Sequence, residues 1–307
     1  MTNVAVVMSA AVLLDAILGE PRRYHPLVGF GHVAQRMERR LNTGDETPTA
    51  AQLRGAFAVA TLVVVPTLAC ALLMRLPGVR TLIEILVLYL AVGHRSLREH
   101  ALLVHDALSR DDLPSARASV GRMVSRDTAD MDASRAAGAA IESVLENGND
   151  AIFGALFWFA LLGAPGALAY RLVNTLDAMW GYRTPPYLHF GRAAARLDDT
   201  LNFVPARLTA LCYALCGRTC TALRCWRHQA RAWESPNAGP VMAAGAGALG
   251  IRLGGGAYYH GRWKERPTLC EGCDPEKDDI VRALRLVLAT LGIWIAAAWM
   301  TTIWSWS

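Results

Sequence analysis

Apolar positions along this chain come in blocks, not in alternation. Three uncharged runs, Gly55 to Met74, Ala151 to Tyr170 and Leu286 to Ser307, each supply the ~20 helical residues that cross a hydrocarbon core. Shorter apolar runs lie at Met1 to Leu14, Ile85 to Gly93 and Leu208 to Gly217. The C-terminal run carries tryptophan toward both ends, as an interfacial belt does. No period-two pattern extends far, so the fold should be mostly α. The prediction is a mainly α, polytopic integral membrane protein with about five membrane-inserted helices. One membrane-embedded domain, 1–307, carries polar segments 20–50, 94–150, 171–202 and 218–283 at its cytoplasmic face.

Local signals add detail. The segment LNTGDETPTAA at 41 to 51 predicts a loop, and LPGVR at 76 to 80 a tight turn that closes a helical hairpin. Pro66 is tolerable inside a membrane helix. Residues 94 to 150 predict helices with a break at Asp111 to Pro114. GAPG at 163 to 166 predicts a broken or re-entrant helix, which is permitted where it lines a protein cavity. The N-terminus has no basic region and no small-residue cleavage site, so it predicts a retained membrane helix carrying Asp15 and not a cleaved signal.

Composition supports the membrane reading. Hydrophobic residues make up 53% of the chain and charged residues only 19%, against about 25% in soluble domains. The net charge of +5 is concentrated beside apolar runs, at Arg22, Arg23, Arg36, Arg39 and Arg40 and again at Arg218, Arg224, Arg227 and Arg231. Such segments face the cytoplasm. No basic stretch is interleaved with stacking aromatics, so no nucleic-acid partner is expected. Of the seven cysteines, Cys212, Cys216 and Cys220 would line one helical face as small apolar residues, with Cys225 beyond. The CEGC pair, Cys270 and Cys273, is half of a zinc site or a redox pair at most. The odd total favours a reducing compartment.

Polar chemistry gathers next to the apolar runs. A helix starting near Asp132 brings Arg135, Glu142 and Glu146 onto one face, followed by Asn149 and Asp150. Arg135 could pair with Glu142 there. NTLDAMWGY places Asn174 and Asp177 one turn apart, and ARLDDTLN supplies Asp198, Asp199 and Asn202. Carboxylates and amides at this spacing suit magnesium, with substrate phosphate and water completing the shell. Arg171, Arg196 and Arg207 stand nearby, and guanidinium suits phosphate or carboxylate. The bland alternative is a set of helix-end salt bridges. RLGGGAYYHG at 252 to 261 lacks the P-loop ending and predicts a flexible turn. His25 follows the first membrane helix, beside Glu20.

Six ordered blocks carry a resemblance: LLDAILGEPRRYHPLVGFGHVAQRMERRLN, SRDTADMD, IESVLENGNDAIFGALFW, GAPGALAYRLVNTLDAMWGY, FGRAAARLDDTLNFVPARLTAL and SPNAGPVMAAGAGALGIRLGG. Together, over residues 13 to 261, they resemble the CobD/CbiB family of cobalamin biosynthesis, the adenosylcobinamide-phosphate synthases. The resemblance implies an enzyme of the bacterial inner membrane. It implies ATP-dependent amide formation between adenosylcobyric acid, at the f propionate of its corrin ring, and (R)-1-amino-2-propanol O-phosphate or a related amino-alcohol phosphate. Partners would be those substrates and membrane lipid, and a homo-oligomer is compatible. Glu20 stands where the family commonly has aspartate, and the tail from 262 falls outside the matching blocks.

Amide formation needs an activated carboxylate, which a phosphoryl group from ATP would provide with magnesium and arginine doing the positioning. On that basis Asp127, Asp177, Asp198, Asp199, Asn174 and Asn202 are expected magnesium ligands. Arg126, Arg171, Arg196 and Arg207 are expected to hold phosphate, with Tyr182 and Asn237 joining the substrate site. Glu142, Glu146 or His25 would take the ammonium proton. Two rival classes remain. A magnesium-dependent prenyl or phospho-alcohol transferase would carry paired Asp-x-x-x-Asp or Asp-Gly-x-x-Ala-Arg motifs, which the chain lacks. A corrinoid transporter or carrier would fit the GAPG break but not the mass of polar segments.

Overall fold

The computed structural model describes residues 3–21, 25–44, 47–259 and 261–304. The expected cationic flank at Arg22 and Arg23 lies outside the described residues, as do the last residues of the C-terminal run. In chain order the helices are α1 (Val4–Leu18), α2 (Pro26–Leu41), α3 (Pro48–Leu73), α4 (Arg80–Ala91), α5 (His94–Ser109), α6 (Leu113–Val120) and α7 (Ala133–Gly148). A π-helical turn, Asn149–Phe153, precedes α8 (Gly154–Trp180), α9 (Tyr187–Phe190), α10 (Arg192–Cys216), α11 (Thr219–Gln229) and α12 (Ala238–Leu249). Four strands follow, β1 (Leu253–Gly254), β2 (Ala257–Tyr259), β3 (Arg262–Lys264) and β4 (Thr268–Leu269), and then α13 (Lys277–Trp304).

Among the described residues three helical stretches are long and apolar enough to span a membrane: Pro48–Leu73, Ala133–Trp180 and Lys277–Ile303. They contain the run Ala151 to Tyr170 whole and most of the other two uncharged runs. α1 and α12 are shorter apolar helices. On α3, Phe57, Val65 and Leu68 are about 60% exposed, as side chains facing lipid are. The chain is a mainly α membrane protein.

Caps explain where the helices begin. Asn3 accepts from the amides of Ala5 (3.0 Å) and Val6 (3.3 Å) at the head of α1. Thr47 accepts from Ala50 N and precedes Pro48, so α3 starts inside the loop predicted over 41 to 51, of which Asp45 and Glu46 lie outside the described residues. Asp112 and Asp132 cap α6 and α7 by accepting from Ser115 N (3.1 Å) and Arg135 N (2.8 Å). The break expected at Asp111 to Pro114 is there, between α5 and α6, with Asp111 at φ 54°. The break in GAPG sits at Gly163, whose φ of 66° and ψ of −156° interrupt α8. Only glycine adopts that region without strain.

The chain divides into two compact units. Unit 1 comprises Met1–Gly93, Asp150–Asn202 and Ala298–Ser307; unit 2 comprises His94–Asn149 and Phe203–Ala297. Within unit 1, α3 and α4 pack on α8, and α1 on α4. Its core sets Trp180 edge-to-face on Phe190 at 5.1 Å, with Ala34, Ala58, Leu62 and Leu176 around them. Within unit 2, α12 (AGPVMAAGAGAL) is buried along its whole length against α11 and α7. A Cβ on Gly247 would lie 2.6 Å from Ala222 Cα, so small residues let the α11 and α12 backbones approach closely.

Three local expectations change. The glycine-rich segment at 252 to 261 is not a flexible turn: β1 pairs antiparallel with β4 and β2 with β3. The cysteines do not share one face, because α10 ends at Cys216 and Cys220 lies on α11. All seven are free thiols. Arg135 does not reach Glu142. It stays 3.8 Å from Asp132, the cap of its own helix, since seven residues of helix span roughly 10 Å.

Candidate active site

In unit 2 the chemistry centres on Glu142. It lies on the buried face of α7 and is 3% exposed. Its Oε2 accepts from the guanidinium groups of Arg126 and Arg266, the latter at 2.8 Å, and its Oε1 accepts from Gly254 N at 2.8 Å. The β hairpins thus hold a carboxylate that α7 presents. The Arg266 guanidinium is held above its usual pKa by Glu142 and Tyr259, against the effect of burial, which lowers it. Arg266 also stacks over Trp233 at 4.7 Å and donates to the Tyr259 hydroxyl at 3.2 Å.

Two cavities share Arg126 and Glu142 as walls. One, of about 210 Å³, is lined also by Asp127, Asp130, Gly255 and Tyr258. Asp127 is tied to the second hairpin: its Oδ2 accepts from Gly261 N at 2.7 Å, and its own N–H donates to Tyr258 O at 2.9 Å. The other, of about 290 Å³, has Glu146, Asn147, Trp233, Lys264 and Arg266 in its walls. Glu146 stands one turn beyond Glu142, so α7 points both toward the same space. Unit 2 therefore surrounds small cavities with guanidinium, ammonium, carboxylate and amide groups.

Farther along unit 2, Arg207 donates through Nη1 to Asn237 Oδ1 (2.6 Å) and through Nη2 to Pro236 O (2.9 Å), and lies over the Phe203 ring at 3.7 Å. Asn237 is buried at the start of α12.

Unit 1 holds a second polar network. Asp198, 9% exposed, accepts from Asn174 Nδ2 at Oδ1 (3.2 Å) and from Asn202 Nδ2 at Oδ2 (3.0 Å). Asn174 Oδ1 in turn accepts from Arg171 Nη1 (3.2 Å), and Asn202 Oδ1 from the Tyr170 hydroxyl (2.8 Å). Burial pushes the Asp198 carboxyl up to about 6, the two amides pulling it back and Asp199 adding repulsion. Burial likewise raises Asp199, against Arg183. Arg171 keeps a buried Nε with no hydrogen-bond partner among the described residues, a donor left over for an anion.

The remaining expected residues also fall in unit 1. His25 caps α2, its Nδ1 accepting from Leu27 N at 3.2 Å. Burial lowers its pKa, with Arg171 adding to the shift and Glu20 opposing it. The Asp177 carboxylate lies under Gly181, where a Cβ would come within 2.1 Å of Oδ1. Tyr182 and Arg196 are exposed. So the structure joins Arg171, Asn174, Asp198 and Asn202 in unit 1, and Arg126 with Glu142, and Arg207 with Asn237, in unit 2. Among the described residues no group of three or more His, Cys, Asp or Glu converges as a metal would require of a fully protein-made site. The sequence reading missed Arg266 and Lys264 because they lie in a tail whose short strands carry no periodic signal, and Trp233 because a single indole ahead of α12 carries none either.

Comparison with known proteins agrees with this picture. The model of the CobD/CbiB protein family matches residues 8–287. A cobalamin biosynthesis protein CobD of Chromobacterium violaceum is 57% identical over 299 residues, covering 96% of this chain and 95% of the relative. The protein of that name from Stutzerimonas stutzeri is 57% identical over 93% of each chain, and that of Mycobacterium tuberculosis is 41% identical over 92% and 90%. No solved structure matches. With nearly its whole length matched, the chain belongs to the CobD/CbiB family.

Proposed function

We propose that this chain is an adenosylcobinamide-phosphate synthase, an ATP-dependent ligase of the bacterial cytoplasmic membrane. It joins an amino-alcohol phosphate, (R)-1-amino-2-propanol O-phosphate or a close analogue, to the f propionate of adenosylcobyric acid. Family membership gives it a role in cobalamin biosynthesis. The observation that supports the finer reading is the pair of cavities built around the Arg126–Glu142–Arg266 network.

The reaction moves the γ-phosphoryl of ATP onto a propionate oxygen, releasing ADP. The amine then attacks the acyl phosphate, expelling phosphate and one proton. Arginine and lysine around the second cavity favour the anionic groups in both steps. Glu142 already accepts from two guanidinium groups and an amide, so it serves as a positioning residue for Arg126 and Arg266. Glu146, one turn on in the same cavity wall, is better placed to take the ammonium proton. His25, kept neutral by burial, is the alternative base.

Magnesium would supply charge neutralisation at the transferring phosphates. It commonly takes only one or two protein carboxylates, with substrate phosphate and water, and Asp127, beside Asp130 in the first cavity wall, fits that demand. Asp177 and Asp199 are further proposed ligands in unit 1. Asp198, Asn174 and Asn202 already satisfy one another, which suits them to orienting Arg171.

The test is mass spectrometry of adenosylcobyric acid incubated with the purified protein, ATP, magnesium and aminopropanol phosphate. A product heavier by the amino-alcohol phosphate less one water is expected. Labelled corrinoid entering liposomes at unchanged mass would favour a carrier instead.

A further inference from the structure

Unit 2 has a third cavity, larger than the two around Glu142, at about 470 Å³. Its walls include Arg207, Trp226, Arg227, Arg231, Trp233 and Glu234. The charges there do not balance. Glu234 is engaged by Lys264 Nζ at 2.6 Å. Among the described residues Arg207 donates to neutral acceptors, the Asn237 amide and the carbonyls of Phe203 and Pro236, and it lies over the Phe203 ring. It is held in place without being neutralised. Neither Arg227 nor Arg231 has a carboxylate partner among the described residues. Three guanidinium groups thus face one space with no acid committed to them, and such a field recruits anions.

Two indoles complete the cavity. Trp233 is fixed from behind by the Arg266 guanidinium, and Trp226 comes from α11. A solvated arginine face would explain Arg227 and Arg231 alone. It does not explain an oriented, partly buried Arg207 or a pair of tryptophans beside it. Aromatic faces take flat rings, and guanidinium takes phosphate. The volume falls in the range of ~300–1,000 Å³ usual for cofactor sites.

We propose that this cavity binds a nucleoside polyphosphate, its base against Trp226 and Trp233 and its phosphates at Arg207, Arg227 and Arg231. The proposal rests on the ATP-dependent ligase reading and gives the nucleotide a place. Trp233 and Glu234 also wall the cavity that holds Glu146 and Lys264, so the two spaces adjoin and the terminal phosphate would be delivered toward the acids. An anionic lipid headgroup shares the phosphate chemistry but brings no aromatic ring.

The experiment uses the full chain in neutral-lipid nanodiscs and measures equilibrium binding of a non-hydrolysable ATP analogue, AMP-PNP, and of inorganic tripolyphosphate. Arg227→Gln and Arg231→Gln are expected to raise both dissociation constants about tenfold, a loss of roughly 1.4 kcal/mol. Trp226→Leu should weaken AMP-PNP and leave tripolyphosphate unchanged, while Trp226→Phe restores AMP-PNP. No binding by the wild-type chain, or unchanged AMP-PNP affinity in the Arg227→Gln/Arg231→Gln double variant, overturns the assignment. Loss of copurifying phosphatidylglycerol from that variant, with AMP-PNP affinity intact, makes the cavity a lipid site and also overturns it. Amide formation by a wild-type chain whose AMP-PNP binding ignores these variants sinks the cavity but keeps the ligase. The expected variant pattern without any amide product does the reverse.

Discussion

Glu142 and Glu146 stand one turn apart on α7, yet the structure gives them different duties. Removing the charge of Glu142 strands two guanidinium groups in a buried site, a change worth about 3–5 kcal/mol where one partner of a buried pair is lost. Glu142→Gln should therefore lower the melting temperature of the detergent-solubilised protein and reduce activity with it. Glu146→Gln should cost less in melting than Glu142→Gln, whose carboxylate holds two guanidinium groups, while slowing amide formation by roughly 10²-fold or more, the usual worth of a general base. Equal melting losses in both variants would contradict the division. His25 offers a pH test. Its pKa is held below the usual 6.5 by burial first and then by Arg171, against Glu20. Between its folded pKa and 6.5 the unfolded chain binds more protons than the folded one, so its contribution to stability is complete above that window and falls as pH drops through it. His25→Asn keeps a cap acceptor for Leu27 N and cannot titrate. The melting temperature of that variant should fall less than wild type between pH 7 and pH 5.5. Part of this scale was legible: the helix start near Asp132 and the closeness of Asp198 and Asn202, four residues apart on one helix, follow from spacing. Arg266 was not, because its partner lies 124 residues away and no local period connects them.

At the scale of elements, glycine decides two helices in different ways. Gly247 sits where α12 meets the Ala222 backbone, and a Cβ there has no room. Gly247→Ala must push α11 and α12 apart and should cost about 1–3 kcal/mol as overpacking does. Gly163 has space, its nearest would-be neighbours lying 3.9 Å away, but its φ of 66° with ψ of −156° excludes a side chain. Gly163→Ala should cost a similar ~1–3 kcal/mol through backbone strain alone. Gly292→Ala on α13, with nothing within 4 Å of the added Cβ, is the control and should be neutral or slightly stabilising. Melting of the three variants in one detergent checks the ranking. The sequence announces the long helices because twenty apolar residues have few other fates, and it announces the GAPG break because glycine and proline punctuate. It does not announce β1 to β4. Strands of two and three residues are shorter than any alternation that could reveal them, and they exist because Gly254 N and Gly261 N find the carboxylates of Glu142 and Asp127.

On the scale of the whole molecule, the apolar helices commit the chain to a bilayer, and the arginines bear on which side of it unit 2 faces. Arg218, Arg224, Arg227 and Arg231 all belong to unit 2, as do the Glu142 cavities and the proposed nucleotide cavity. From the positive-inside bias we propose that this chemistry faces the cytoplasm, which is where ATP is available. Cys220 and Cys273 are exposed thiols of unit 2 and report on this directly. In spheroplasts expressing a variant that keeps only these two cysteines, a membrane-impermeant maleimide should not react until the membrane is permeabilised. Labelling of intact spheroplasts would place unit 2 outside the cell, away from its nucleotide, and no arrangement of Arg126, Glu146 and Lys264 could then rescue an ATP-dependent ligase.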